Sequence, residues 1–182
     1  MKVLIAIDSF KGSLTSLEAG TAAAEGIKRV CPDSECDILT VADGGEGTVD
    51  ALMSALSGEA VTVEVSDPLG RRIKAQYGIS GDGTALIEMS AAAGITLMKK
   101  EELNPLMTTT YGVGEMIKDA VGRGCRRFVI GIGGSATNDG GCGCAAACGV
   151  RFFEANGSSF VPSGRNLTDI MAIDRKAADP RL

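Results

Sequence analysis

Two glycine-rich tracts, each with an aspartate followed by two glycines, hold the residues of this chain best suited to chemistry. The first is Val41–Thr48, which contains Asp43-Gly44-Gly45-Glu46, and the second is Ile132–Gly141, which ends in Asp139-Gly140-Gly141. Each tract lies where an apolar strand passes into a helix. Glycines let backbone N–H groups approach a ligand, a helix N-terminus favours negative charge, and an aspartate there can hold a metal ion. Together the tracts predict a site for a phosphorylated ligand.

A third group of polar residues follows the first apolar run and contains Asp8, Ser9, Lys11 and Ser13. In open α/β sheets, ligands lie beyond the carboxyl ends of neighbouring parallel strands. We therefore expect Asp8 and Asp43 to face one crevice, together with Ser9, Lys11, Ser13 and Glu46. Carboxylates, a lysine and glycine N–H groups suit phosphoryl transfer with Mg²⁺. The alternative is that both aspartates only satisfy helix N-termini and that Lys11 is a solvated surface lysine.

The second tract predicts an anion cradle rather than a plain turn. Backbone N–H groups would come from Gly133 and Gly134, side-chain donors from Ser135, Thr137 and Asn138, and a carboxylate from Asp139. The tract lacks the Gly-Lys-Ser/Thr of a P-loop, whereas Gly131-x-Gly133-x-x-Ala136 fits a relaxed dinucleotide fingerprint. A nicotinamide-dependent oxidoreductase therefore stays an alternative. Thr108-Thr109-Thr110 would cap a helix or contact a substrate hydroxyl.

Composition excludes several classes of function. The chain has 182 residues, a net charge of −5 and no histidine, which leaves acid–base work to carboxylates or lysines. Its scattered basic residues argue against nucleic-acid binding, and no apolar run reaches the ~18 residues of a membrane helix. We expect a cytoplasmic location. The six cysteines are expected to be free, mostly buried thiols, with a zinc or iron–sulfur site at Cys144 and Cys148 as the alternative.

The N-terminal elements read β-α-β-α. Residues 2–8 form an apolar run typical of a strand buried on both faces, and Thr15 with Glu18 predicts a capping box for a helix ending at Cys31-Pro32. Residues 35–41 predict a second strand and residues 47–56 a second helix.

The pattern then changes to three short antiparallel strands at 61–65, 71–77 and 84–89. A helix at 112–121, a buried strand at 127–132 and a helix at 140–148 follow. We therefore predict an α/β fold with a Rossmann-like parallel α/β/α unit over residues 1–65. A second mixed α/β subdomain over residues 66–182 would follow it, and the whole looks truncated.

Four motifs in order resemble the bacterial glycerate kinase family of the glycerate 2-kinase type. They are Asp8-Ser9-Phe10-Lys11-Gly12-Ser13, residues 42–48, residues 108–115 and residues 131–141. The resemblance covers all 182 residues, including Asn104-Pro105-Leu106 and the terminal Asp179-Pro180-Arg181-Leu182. Small departures occur at Ile7, Val113, Cys142 and Cys144, and the loss of a hydroxyl at Val113 weakens the threonine-rich loop as a substrate contact.

The resemblance implies ATP- and Mg²⁺-dependent phosphorylation of D-glycerate, to 2-phosphoglycerate in most such enzymes. Lys11 would contact a phosphate or the glycerate carboxylate, and Asp8, Asp43 or Glu46 would bind Mg²⁺ or take the hydroxyl proton, with Asp43 and Glu46 as the metal ligands. Asp139 is a further catalytic candidate. The expected ligand-binding residues are Ser9, Ser13, Gly44, Gly45, Glu46, Gly133, Gly134, Ser135, Thr137 and Asn138.

Proteins of this family continue beyond the position of Leu182, so the chain resembles an N-terminal half. We expect a complementary C-terminal half or a second copy as partner, and otherwise aggregation through an exposed sheet edge. A module that binds nucleotide or organic acid without turnover is the alternative function.

Overall fold

The computed structural model describes residues 1–10 and 13–182 of the chain. Strands β1 (Lys2–Ile7) and β2 (Glu35–Thr40) pair in parallel, and helix α1 (Ser16–Val30) connects them. Helix α2 (Thr48–Leu56) follows. The predicted β-α-β-α order is confirmed, with each boundary within one or two residues of its predicted position.

Helix α1 begins with the capping box that the sequence predicted. Thr15 Oγ1 accepts a hydrogen bond from Glu18 N at 3.2 Å, and Glu18 Oε2 accepts one from Thr15 N at 2.8 Å. The buried face of the helix consists of small residues, and a Cβ on Gly20 would lie 2.5 Å from Ile38 Cγ2. Small side chains therefore let α1 lie close against β2.

The expectation that the first strand is buried on both faces is wrong. Ile5 points towards α1 and is buried, whereas Leu4 and Leu39 lie on the opposite face with 68% and 53% of their surface exposed. The physical reason is the position of α2, which packs against the strands of a second sheet rather than against β1 and β2. One face of the first sheet is therefore left uncovered in the described part of the chain.

The second sheet has the strand order β3-β4-β5-β6. Strands β3 (Gly58–Ser66), β4 (Arg72–Ser80) and β5 (Thr84–Glu88) form the predicted antiparallel meander, and β6 (Arg127–Gly131) adds to β5 in parallel. Strand β6 was expected to be buried, but it lies at the edge of the sheet and exposes Val129 and Ile130.

Helices cover both faces of this second sheet. Tyr77 belongs to the core shared with Met116 of α4 (Tyr111–Gly122), whereas the neighbouring Gly78 lies against Met53 of α2. Because consecutive strand residues point to opposite faces, α2 and α4 lie on opposite sides of the sheet. The short helix α3 (Ser90–Ala93) packs beside α4.

The remaining elements complete a mixed α/β fold. Helix α5 (Cys142–Ala147) packs on α4, and β7 (Arg151–Phe153), β8 (Ser159–Phe160) and β9 (Ala172–Asp174) form an antiparallel sheet. Three 3₁₀ turns lie at Ile95–Leu97, Lys100–Glu102 and Leu167–Asp169. The predicted α/β class is confirmed, and the division between residues 65 and 66 stays a prediction. Within the described residues, no helix has the length and apolarity needed to cross a membrane.

Candidate functional site

A cavity of about 500 Å³ lies at the carboxyl ends of β1 and β2. Four residues singled out in the sequence line it: Asp8, Ser9, Ser13 and Glu46. Asp43 is exposed and is absent from the described lining, and its Oδ1 accepts a hydrogen bond from Gly45 N at 3.0 Å. Lys11 lies outside the described residues. The cavity therefore brings together four of the six side chains expected in the crevice, whereas Asp43 lies outside the described lining.

Hydrogen bonds to backbone atoms hold the loops around this cavity. Ser16 Oγ donates to Ile7 O at 2.5 Å and accepts from Val41 N at 3.3 Å, so one hydroxyl joins the ends of β1 and β2. Phe10 N donates to Leu14 O at 2.8 Å, and Leu14 N returns a bond to Phe10 O at 3.1 Å. These bonds fix the loop that carries Asp8, Ser9 and Ser13 over the strand ends.

The charged side chains among the described lining residues are all acidic: Asp8, Glu18, Glu46 and Asp50. The N-termini of α1 and α2 also open towards the cavity, and their positive ends favour anions. Hydrogen bonds from Thr15 lower the pKa of the Glu18 carboxyl, which keeps that group ionised. The cavity thus combines two anion-favouring helix ends with carboxylates suited to hold a cation.

The two glycine tracts contact each other. Gly133 N donates to Gly44 O at 2.9 Å, a Cβ on Gly133 would lie 2.7 Å from Gly45 N, and a Cβ on Gly131 would clash with Gly44 O. We call Gly44, Gly45, Gly131 and Gly133 the glycine seam. The two tracts, which are far apart in the sequence, are therefore joined through their backbones.

Hydrogen bonds within the second tract and to Ile95 hold its remaining residues. Gly134 O accepts from Ile95 N at 2.9 Å, the hydroxyls of Ser135 and Thr137 lie 2.9 Å apart, and Asn138 is exposed. None of these predicted ligand-binding residues is part of the described cavity lining. Their roles as ligand contacts stay predictions.

Asp139 is buried, with only 1% of its surface exposed. Its carboxylate accepts from Thr110 N at 2.8 Å, from Thr110 Oγ1 at 2.9 Å, and from Gly141 N and Gly143 N at 3.0 and 3.1 Å. Thr109 Oγ1 also donates to it at 3.3 Å. These contacts support a positioning role that joins the start of α5 to the start of α4, and a catalytic role for Asp139 stays a prediction.

The threonines before α4 do not act mainly as the predicted caps. Thr110 is the N-cap residue, but its side chain makes no capping hydrogen bond because it is directed to Asp139. Thr109 Oγ1 does accept from Tyr111 N at 3.2 Å. Thr108 Oγ1 donates to Ala136 O at 2.8 Å. Their hydroxyls hold the second tract in place.

Glu88 is a residue that the sequence analysis missed. It ends β5, exposes 9% of its surface, and accepts a hydrogen bond from Val49 N at 2.6 Å, so it caps the first turn of α2. Burial raises the pKa of the Glu88 carboxyl, although the Val49 N–H opposes that change. Glu88 ends an apolar run in the sequence, as Asp8 and Asp43 do, and this shared position could have identified it as a candidate residue.

A protein-family model described as the glycerate kinase family matches residues 3–182. The chain belongs to the glycerate kinase family. The predicted resemblance is therefore confirmed over nearly the whole chain.

Members of the glycerate kinase family from several bacteria are similar to this chain. A glycerate kinase of Haemophilus influenzae is 50% identical, and a glycerate 2-kinase of Escherichia coli is 45% identical, each over 100% of this chain and 48% of the relative. The crystal structure of a Salmonella typhimurium LT2 protein provisionally named glycerate kinase 2 has a TM-score of 0.82 and 46% identity. It matches 100% of this chain and 49% of that protein. The chain spans about half the length of the curated relatives it matches.

The cavity of this glycerate kinase family chain has a donor set suited to Mg²⁺. Among the described residues, no group of three or more His, Cys, Asp or Glu side chains could hold a metal ion by itself. Magnesium bound with a nucleotide needs only one or two carboxylates, since phosphates and waters complete its coordination. The acidic residues of the cavity fit that requirement.

The raised pKa of Glu88 gives a testable dependence of stability on pH. A carboxyl whose pKa is raised above the ordinary 4.5 by folding binds its proton more tightly in the folded chain. Its contribution to stability is therefore present below the unfolded pKa and is lost as the pH rises through the folded pKa. Glu88→Gln keeps an acceptor oxygen but cannot ionise. We expect the free energy of unfolding of the wild type, minus that of Glu88→Gln, to fall from acidic to neutral pH.

Urea unfolding over a pH series measures this difference. Glu25→Gln on the exposed face of α1 is the matched control, and its difference from the wild type is expected to show no comparable fall. If the difference in free energy of unfolding between the wild type and Glu88→Gln stays constant or rises with pH, ionisation of the buried Glu88 carboxyl does not destabilise the fold.

Proposed function

We propose that this chain carries part of the catalytic site of an enzyme that transfers a phosphoryl group from ATP to D-glycerate, giving 2-phosphoglycerate. One observation carries the proposal: in a chain of the glycerate kinase family, an acidic cavity opens at the carboxyl ends of two parallel strands and at two helix N-termini. Such an edge is where open α/β sheets bind phosphorylated ligands.

The described residues support distinct roles in the transfer. Asp8 and Glu46 both line the cavity, so either carboxylate could take the proton from the glycerate hydroxyl as it attacks the γ-phosphate. We assign Asp43 and Glu46 to hold Mg²⁺, which when bound neutralises phosphate charge during transfer, and with Glu46 in that role Asp8 is the carboxylate left to take the proton. Backbone N–H groups of the two tracts would donate to phosphate oxygens, except those that bond within the chain, such as the N–H groups of Gly45 and Gly133. Lys11 would contact a phosphate or the glycerate carboxylate.

Release of ADP from ATP in the presence of Mg²⁺ tests the activity directly. We expect release with D-glycerate and none above background with L-glycerate or glycerol. If the 182-residue chain is silent, the assay is repeated after co-expression with the remaining half of the Haemophilus influenzae relative. Silence in both forms would contradict the proposed activity.

Loss of either cavity carboxylate is expected to reduce turnover strongly. Asp8→Asn and Glu46→Gln keep the shape of each side chain but remove its negative charge, so we expect at least one of them to lower kcat about a hundredfold or more. The same ADP assay measures the effect. Glu25→Gln, on an exposed surface of α1, is expected to leave kcat unchanged. Turnover within a few-fold of the wild type in both cavity variants would exclude these carboxylates as base or metal ligand.

A second candidate is a module that binds nucleotide or glycerate without turnover. The observation that favours it is that the chain spans about half of its relatives, so residues from a complementary half or a second copy could complete the site. Binding of ATP measured by calorimetry, without ADP release in either assay, would favour this function. A cytoplasmic location stays a prediction.

A further inference from the structure

Two cysteines lie one helical turn apart where α5 ends. Cys148 follows the helix, and its N–H donates to Cys144 O at 3.1 Å, so the two side chains lie on the same face. Cys148 lines an open cavity of about 450 Å³ that shares no residue with the acidic cavity. The same cavity is lined by Lys118 of α4 and by Asp179 and Arg181 of the C-terminal segment.

We propose that Cys148 is a reactive thiolate that undergoes thiol–disulfide exchange with low-molecular-weight disulfides, and that Cys144 is the positioning residue that activates it. Three features carry the proposal: the paired thiols, the open cavity beside Cys148, and the ammonium group of Lys118 near its sulfur. Reactive cysteines in proteins are partly accessible, lie near cations and are often next to a second thiol.

The charges around the pair favour ionisation of Cys148 rather than Cys144. The side-chain interaction with Cys144 and the positive charge of Lys118 lower the pKa of Cys148, despite partial burial and the nearby Asp179 carboxylate. The same interaction and burial raise the pKa of Cys144, with a further contribution from Asp139. Asp179 is itself paired with Arg181 at 2.6 Å, which reduces its effect on the thiolate.

One contact opposes ionisation and is weak. In its neutral form, Cys148 Sγ donates to Gly114 O at 3.8 Å, and a thiol is a poor donor.

The Cys148 thiolate attacks one sulfur of the small disulfide, a new sulfur–sulfur bond forms, and the old bond breaks with its electron pair leaving on the other sulfur as a thiolate. Cys148 is oxidised, the departing sulfur is reduced, and the proton stays on Cys144. The Cβ atoms of residues four apart in a helix lie ~5–6 Å apart, whereas a disulfide needs ~3.5–4.5 Å. The mixed disulfide is therefore the stable product.

The first experiment treats the folded 182-residue chain with oxidised glutathione and follows each cysteine by mass spectrometry of its peptides. At neutral pH we expect a single glutathionyl group on Cys148 before any on Cys31, although Cys31 is the more exposed thiol. In urea the difference between these two thiols is expected to disappear. Faster reaction at Cys31 in the folded chain would overturn the proposal.

The second experiment tests the role of Cys144 through the pH profile of the rate at Cys148. Cys144→Ala removes the donor, so we expect the rate at neutral pH to fall about three- to fourfold for each unit by which the pKa of Cys148 rises, because the tenfold loss of thiolate is partly offset by its greater nucleophilicity. At alkaline pH, where Cys148 is fully ionised in both proteins, the rate should instead rise about threefold per unit. Cys144→Ser supplies a hydroxyl donor and should restore the neutral rate, and Cys142→Ala in the same helix is the matched control.

A structural effect of Cys144 would not move the pH profile in this way. An unchanged neutral rate in Cys144→Ala, or failure of Cys144→Ser to restore a lost rate, would remove Cys144 from the proposal. If Cys144→Ala does not fold, the wild-type profile decides instead, because a midpoint at or above that of an ordinary thiol would contradict the thiolate. All these readouts are independent of kinase activity.

Discussion

Gly133→Ala is expected to move the two glycine-rich tracts apart at the glycine seam and to lower the free energy of unfolding by about 1–3 kcal/mol. The new Cβ would lie 2.7 Å from Gly45 N and 2.8 Å from Gly45 Cα, and backbone atoms cannot rotate away as a side chain can. The hydrogen bond from Gly133 N to Gly44 O would be strained or lost as the tracts move apart. Urea unfolding measures the stability, and the ADP assay measures the accompanying loss of turnover.

Gly26→Ala is the matched control for this change. Gly26 lies inside α1, and a Cβ there meets no atom within 4 Å. Alanine in a helix interior is expected to increase stability by about 0.5–1 kcal/mol relative to glycine. If Gly133→Ala did not lower the free energy of unfolding, as is expected for Gly26→Ala, this result would contradict the close contact between the two tracts.

Asp139→Asn is expected to lower the free energy of unfolding by about 2–5 kcal/mol, because the carboxylate is buried and receives five hydrogen bonds. An amide has one acceptor oxygen, so its NH₂ group would face donors such as Thr110 N or Gly143 N. Urea unfolding measures the loss. Asp33→Asn, at an exposed position before β2, is the control and should change stability by less than about 0.5 kcal/mol.

The same variant separates positioning from catalysis. If Asp139→Asn unfolds like the wild type but loses turnover, its hydrogen bonds to the threonines do not stabilise the fold, and the predicted catalytic role gains support. Loss of stability with turnover retained in the folded fraction supports the positioning role.

Features that depend on local chain chemistry could be predicted from the sequence. The capping box of α1 needs only Thr15 and Glu18 at the correct spacing, and the meander needs only alternating residues between turns. The placement of Asp8 and Glu46 at one cavity followed from the parallel pairing of β1 and β2, which a helical crossover favours.

Features that depend on which surfaces meet could not be predicted. Nothing in residues 48–56 indicates that α2 packs on β4 and β5, and this choice leaves Leu4 and Leu39 exposed. The same holds for Glu88, whose partner Val49 is remote in sequence.

The cysteines show the same limit. They were expected to be mostly buried, but of the six only Cys125 is buried, as a member of the core beside the second sheet, and Cys144 packs against that core while staying partly exposed. Free cysteine is often buried, but which cysteines of a chain reach the core depends on tertiary packing.

The glycine seam also has a consequence for the order of folding. Strands β1 and β2 pair across one helical crossover and the meander strands across short turns, whereas Gly44 and Gly133 meet only after a longer loop has closed. The seam is therefore expected to form late, after the rate-limiting barrier. Interactions made after that barrier slow unfolding without accelerating folding. A ligand held at the seam would then lengthen the lifetime of the folded chain and leave its rate of folding unchanged.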